Sequence, residues 1–134
     1  MRILIAEDDY ASRKFLYKFL SSYGECDVTV DGMETIEAFL MAWEEEKPYD
    51  LICLDIMMPK VDGLKVLKLI REKEKEKGLE KSQYAKIIMT TALSESNYVY
   101  TAFESGCEGY AAKPLDTNKL LEVIAKLGLI AEKK

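Results

Sequence analysis

Asp55 closes an apolar run, Leu51-Ile52-Cys53-Leu54, and opens the stretch Ile56-Met57-Met58-Pro59-Lys60-Val61-Asp62-Gly63. A carboxylate so placed stands where a buried strand emerges into a loop marked by proline and glycine. Upstream, Ile3-Leu4-Ile5-Ala6 ends in three acids, Glu7, Asp8 and Asp9. Downstream, Ile87-Ile88-Met89 ends in Thr90-Thr91-Ala92, and Gly109-Tyr110-Ala111-Ala112 ends in Lys113-Pro114. Four strand ends thus deliver a cluster of acids, a lone carboxylate, hydroxyls and an ammonium. Carboxylates suit a hard divalent cation, and an ammonium suits phosphoryl oxygens, so the set can bind a metal and a phosphoryl group together.

The elements that carry these groups follow from periodicity. Residues 2–6 read as a strand. Residues 10–23 read as a helix with Phe15, Leu16, Phe19, Leu20 and Tyr23 on one stripe, stopped by Gly24. A second strand at 26–30 ends in the turn pair Asp31-Gly32. Met33, Ile36, Phe39, Leu40 and Trp43 mark a second helix closed by Pro48, and 50–54 is the third strand. A third helix begins with Leu64, Val66, Leu67 and Ile70 and runs into Arg71-Glu72-Lys73-Glu74-Lys75-Glu76-Lys77, which reads as a solvated helix end stopped by Gly78. Residues 79–84 lead to the fourth strand, 96–105 form a fourth helix and 109–112 a short fifth strand. Asp116 caps a last helix carrying Leu120, Leu121, Ile124 and Leu127. Strand and helix alternate, which predicts an α/β fold with a parallel sheet covered on both faces. Ligands of such sheets gather beyond the carboxyl ends of the strands, where the four groups fall.

The bulk composition removes many chemistries. The 134 residues include no histidine, which excludes Ser-His-Asp and Cys-His catalysis, histidine-ligated metals and a phosphohistidine carrier. Cys26, Cys53 and Cys107 form no CxxC pair, so zinc and redox-motif readings are weak. Cys26 and Cys53 lie in apolar strand patterns and read as small buried hydrophobes, in keeping with a reducing cytoplasm. A formal charge of -5 argues against the chain gripping nucleic acid by itself. No apolar stretch has the length of a membrane span, and Met1-Arg2 leads directly into a strand rather than a signal peptide. The length predicts one domain over 1–134, with its core in 2–127, large enough to bury that core without disulfides.

Glu7-Asp8, Asp55 with Met58-Pro59-x-x-Asp62-Gly63, Thr91-Ala92 and Tyr110-x-x-Lys113-Pro114 are each weak signals, but in this order and on these elements they are specific. The chain resembles the receiver domain of two-component response regulators, in the stand-alone CheY-like form, from Arg2 to about Leu127. The resemblance implies a flavodoxin-like, five-stranded parallel sheet in the order 2-1-3-4-5 with helices on both faces. It further implies that Asp55 is a phosphoacceptor, attacking the phosphohistidine of a sensor histidine kinase or phosphotransfer protein to form an aspartyl phosphate. Carboxylate and phosphoryl group repel one another, and Mg2+ removes that repulsion. By the same resemblance Asp8 is a direct metal ligand, Glu7 acts through water, and Asp55 and the peptide carbonyl of Met57 each give an oxygen. Lys113 and Thr91 hold phosphoryl oxygens, and the Lys113–Pro114 peptide is cis. Thr91 and Tyr110 form a switch that changes the surface of the fourth helix, fifth strand and fifth helix, and so controls a downstream protein that the sequence does not name.

Neighbouring residues carry lesser expectations. Asp9 caps the first helix, Gly63 permits a positive backbone dihedral after Asp62, and alternation points Thr90 and Thr91 apart. In the family that the chain resembles, side chains two positions beyond the acceptor and the threonine affect attack by water on the acyl phosphate. Here they are Met57 and Leu93, which cannot orient a water, so the resemblance implies a phosphorylated form that decays slowly. A receiver turns over no dedicated substrate, and this one is expected to be cytoplasmic. The chain stops soon after its last helical pattern, so it is expected to act through protein contacts or to be part of a longer regulator.

Four other readings compete. A haloacid-dehalogenase-like phosphatase needs a second aspartate two residues after its nucleophile, where this chain has Met57. A flavodoxin-like FMN protein needs a Ser/Thr/Gly-rich phosphate loop after the first strand, where the acids would repel the cofactor. A nucleotide-dependent kinase or GTPase needs GxxxxGK[ST], which is absent. A pseudo-receiver would use the fold only to bind a protein.

Overall fold

The computed structural model describes residues 1–92 and 97–130. Five strands, β1 (Arg2–Ala6), β2 (Glu25–Thr29), β3 (Leu51–Asp55), β4 (Lys86–Ala92) and β5 (Gly109–Lys113), alternate with five α-helices. These are α1 (Tyr10–Leu20), α2 (Gly32–Glu44), α3 (Gly63–Glu76), α4 (Asn97–Glu104) and α5 (Thr117–Lys126). The sheet is wholly parallel in the order β2-β1-β3-β4-β5, the order that the resemblance implies.

Each strand sends alternate side chains to opposite faces. Leu4, Ile52, Leu54, Ile87 and Met89 pack on one side with Phe39, Val66, Leu67, Ile70 and Ala102 of α2, α3 and α4. Ile3, Ile5, Leu51, Cys53 and Ile88 pack on the other with Leu16, Leu20, Leu120 and Ile124 of α1 and α5. Central β3 is buried at all five positions, as a continuously apolar strand must be. Four helices begin at the carboxyl edge of the sheet behind an aspartate cap: Asp9, Asp31, Asp62 and Asp116 accept from the amides of Ser12, Glu34, Lys65 and Lys119. Each cap is worth about 1 kcal/mol and satisfies an amide with no partner inside its helix.

Three expectations need correction. The first helix ends at Leu20, not residue 23: the Ser21 amide makes the last four-residue bond, to Tyr17, and the Tyr23 amide turns onto Leu20, three residues back. Gly63 has no positive φ; in that loop the left-handed residue is Lys60, with φ 68°. A side chain at Gly63 would instead meet the Asp55 carbonyl oxygen at 2.0 Å, so glycine is required for the start of α3 to pack against the end of β3. The charged end of α3 is not uniformly solvated. Buried Glu74 and partly buried Arg71 form an ionic network: Arg71 donates to Glu74 (2.6 Å), Glu108 (2.8 Å) and the carbonyls of Ala85 and Gly106 (both 3.0 Å), and Glu74 accepts from the Ala85 amide. On the helix surface Lys73 and Glu76 pair at 3.5 Å, three positions apart rather than four.

Candidate functional site

Asp55 is the last residue of β3 and pairs with Thr90 of β4. On its other side Leu54 pairs with Ala6 of β1, so the chain leaving β1 brings Glu7 and Asp8 beside Asp55. Strand alternation puts Glu7, Asp55, Thr90 and Lys113 on the face covered by α1 and α5. Glu7 and Asp55 are buried and Asp8 is exposed. One carboxylate oxygen from each lies within 4.8 Å of the others. The Lys113 ammonium donates to Glu7 Oε1 at 2.5 Å and stands 3.6 Å from Asp55 Oδ2. The Lys113–Pro114 peptide is cis.

Three acids facing one ammonium leave negative charge in excess. Burial raises the Asp55 carboxyl to about 8, helped by the charge of Glu7 and opposed by Lys113. Burial likewise raises Glu7 against the bond to Lys113. Burial pulls the Lys113 ammonium down, but the bond to Glu7 and the charge of Asp55 hold it above its ordinary range. An all-oxygen donor set with surplus negative charge fits a hard divalent cation such as Mg2+.

The other candidates fall around this cluster. Asp9 stands apart from it as the cap of α1, and the hydrogen bond from the Ser12 amide lowers its carboxyl below the usual range. The Met57 amide donates to Asp55 Oδ1 at 3.4 Å, and its side chain is 51% exposed. The Thr91 hydroxyl donates to the Ala92 carbonyl at 3.1 Å. Tyr110 is 43% exposed. Leu93, and Ser96 at the expected start of the fourth helix, lie outside the described residues.

Two residues that the pattern did not single out also touch the site. Thr90 places its hydroxyl 3.5 Å from Glu7 Oε2, which its pairing with Asp55 explains and its sequence neighbourhood does not reveal. Arg13 donates to the carbonyls of Glu7 (3.0 Å) and Asp8 (3.3 Å), tying the acidic turn to α1. A basic residue one turn into a helix gives no local signal of that contact.

The profile of the response regulator receiver domain family matches residues 3–125. The chemotaxis protein CheY of Treponema pallidum is 34% identical over 128 residues, which are 94% of this chain and 81% of that protein. The osmosensing histidine protein kinase of Saccharomyces cerevisiae is 26% identical over 94% of this chain, which spans only 10% of the kinase. A chain of the CheX-CheY-BeF3-Mg2+ complex from Borrelia burgdorferi superposes with a TM-score of 0.80 at 28% identity, over 96% of this chain and 89% of that one.

Proposed function

The chain belongs to the response regulator receiver domain family, and from that membership we propose that it is a phosphorylation-activated signalling receiver with Asp55 as its phosphoacceptor. The observation that carries the proposal is a buried carboxylate at a strand end, 3.6 Å from an ammonium and within 4.8 Å of two further acids. An Asp55 oxygen bonds to the phosphorus of a phosphohistidine on a sensor histidine kinase or phosphotransfer protein. The phosphorus–nitrogen bond breaks, and the imidazole nitrogen keeps its electron pair. Asp8, Asp55, the Met57 carbonyl and, by way of a water, Glu7 would hold Mg2+, which when bound would supply the charge neutralisation that lets the two anions meet.

Lys113 and Thr91 hold the phosphoryl oxygens in this reading. Movement of Thr91 towards the phosphoryl group frees space for the Tyr110 ring, which shifts a pre-existing equilibrium in the surface formed by α4, β5 and α5 and so controls a downstream protein. Residues 1–134 act as one receiver domain in the cytoplasm; among the described residues no helix is long and apolar enough to cross a membrane. Receivers are generally signalling phosphoacceptors rather than metabolic enzymes, and this chain is read in the same way.

Acetyl phosphate, which can donate to such a carboxylate without a kinase, tests the proposal. With Mg2+ present, intact-mass measurement is expected to find one phosphoryl group on the wild-type protein and none on Asp55→Asn. A folded wild-type protein that gains none, and that also fails to bind beryllofluoride with Mg2+, is a protein-binding module on a receiver fold.

A further inference from the structure

Phe103 lies on α4 and Tyr110 on β5, and their rings meet edge to face, with centroids 6.0 Å apart and planes at 87°. Three other ring pairs, Phe15–Phe19, Phe19–Tyr23 and Phe39–Trp43, join residues four apart on or just beyond a single helix. Phe103–Tyr110 is thus the ring contact, among the described residues, that joins two separate elements. Tyr110 pairs in register with Met89, whose side chain is in the core on the α2–α4 side. The Tyr110 ring therefore rises towards α4, while Gly109, one position earlier, faces Val123 of α5. Both residues are 43% exposed, so their contact lies at the surface, where the edge of one ring covers part of the face of the other. Ala102 is the only buried residue of α4, which leaves Phe103 without a place in the core.

We infer that Phe103 is a positioning residue that holds the Tyr110 ring outward and thereby sets how readily the receiver converts to its phosphoryl-bound form. The inference rests on the receiver reading, in which Tyr110 moves inward on activation. An inward ring gives up its edge contact with Phe103, and whatever that contact contributes opposes activation. A ligand that binds only the minor conformer has its apparent affinity reduced by the fraction of that conformer. Loss of an exposed aromatic pair changes such a fraction by a few-fold, up to roughly tenfold.

The test is a beryllofluoride titration in saturating Mg2+, read by 19F NMR, on wild type, Phe103→Ala, Phe103→Leu and Phe103→Tyr. Mg2+ binding without fluoride is measured in parallel. Phe103→Ala is expected to reach half-saturation at a few-fold lower beryllofluoride, Phe103→Leu to fall between, and Phe103→Tyr, which keeps the edge contact, to match wild type. Mg2+ affinity is expected to stay constant across the series, which damage to the fold would not spare. The ring signals of Tyr110 labelled with 13C are expected to move in the ligand-free alanine variant towards their beryllofluoride-bound positions. Unchanged or higher half-saturation in both Phe103→Ala and Phe103→Leu overturns the inference. Failure of the receiver reading looks different, since the wild-type protein itself would then bind no beryllofluoride or Asp55→Asn would bind it equally.

Discussion

The Lys113 ammonium is bonded to Glu7 at 2.5 Å and stands off from Asp55 at 3.6 Å. The lysine is therefore held by Glu7, an acid of the candidate metal cluster, rather than by the proposed phosphoacceptor, and in the proposed reaction one change of partner would bring it to a phosphoryl oxygen. Its charge serves two ends that oppose each other. It relieves the crowding of carboxylates, and it would compete with a bound cation for the same oxygens.

Lys113→Ala separates these effects. Removing a positive charge from among three acids is expected to leave Mg2+ binding as tight as in wild type or tighter. Phosphorylation by acetyl phosphate is expected to slow by roughly 100-fold, the usual cost of losing one positioned donor to a developing charge. Mg2+ titration and mass-resolved phosphorylation kinetics check both halves. A parallel loss of the two would mean that Lys113 only maintains the structure.

The raised carboxyl of Asp55 links stability to pH in a definite direction. Its value is about 8 in the folded chain, against about 3.9 for an unperturbed aspartate. Between these values the folded state binds more protons than the unfolded one, so Asp55 costs stability as pH rises through that window. Asp55→Asn is expected to stabilise the metal-free protein little near pH 4 and by about 1–2 kcal/mol near pH 8. Added Mg2+ should narrow that difference by binding the wild-type folded state. Thermal melts across the pH range, with chelator and with Mg2+, give the answer.

Within the charged end of α3, two neighbours separate a structural charge from a solvated one. Arg71→Ala leaves Glu74, 1% exposed, without its ionic partner and is expected to destabilise by about 3–5 kcal/mol in urea unfolding. Lys73→Ala removes a surface pair and is expected to change stability by less than about 0.5 kcal/mol. Equal effects would show that the network contributes nothing beyond surface charge.

Met57 places an exposed thioether, at most a weak hydrogen-bond acceptor, two residues after the proposed phosphoacceptor Asp55. Met57→Asn puts an amide there and is expected to shorten the lifetime of the phosphorylated protein several-fold, followed by the decay of the phosphoryl mass after the donor is removed. An unchanged lifetime would assign the rate to some other part of the loop.

The order of strands and helices, and the chemical groups at four strand ends, were legible in the chain because they rest on local signals: apolar runs, caps, and the stop at Gly78. Glu7, Asp8, Asp55 and Lys113 were legible for the same reason, since once the strands are parallel their ends share one edge. The tertiary structure decided what depends on contacts between distant residues. Arg71 is drawn into an ionic network because Glu108, 37 positions away, arrives beside it, and Gly63 is required because the carbonyl of Asp55 leaves no room for a side chain. Thr90 reaches Glu7 through its register with Asp55, and Tyr110 meets Phe103 across two elements. A periodic pattern states which face of an element is apolar; only the packed chain states which neighbour that face, or an individual charge, will meet.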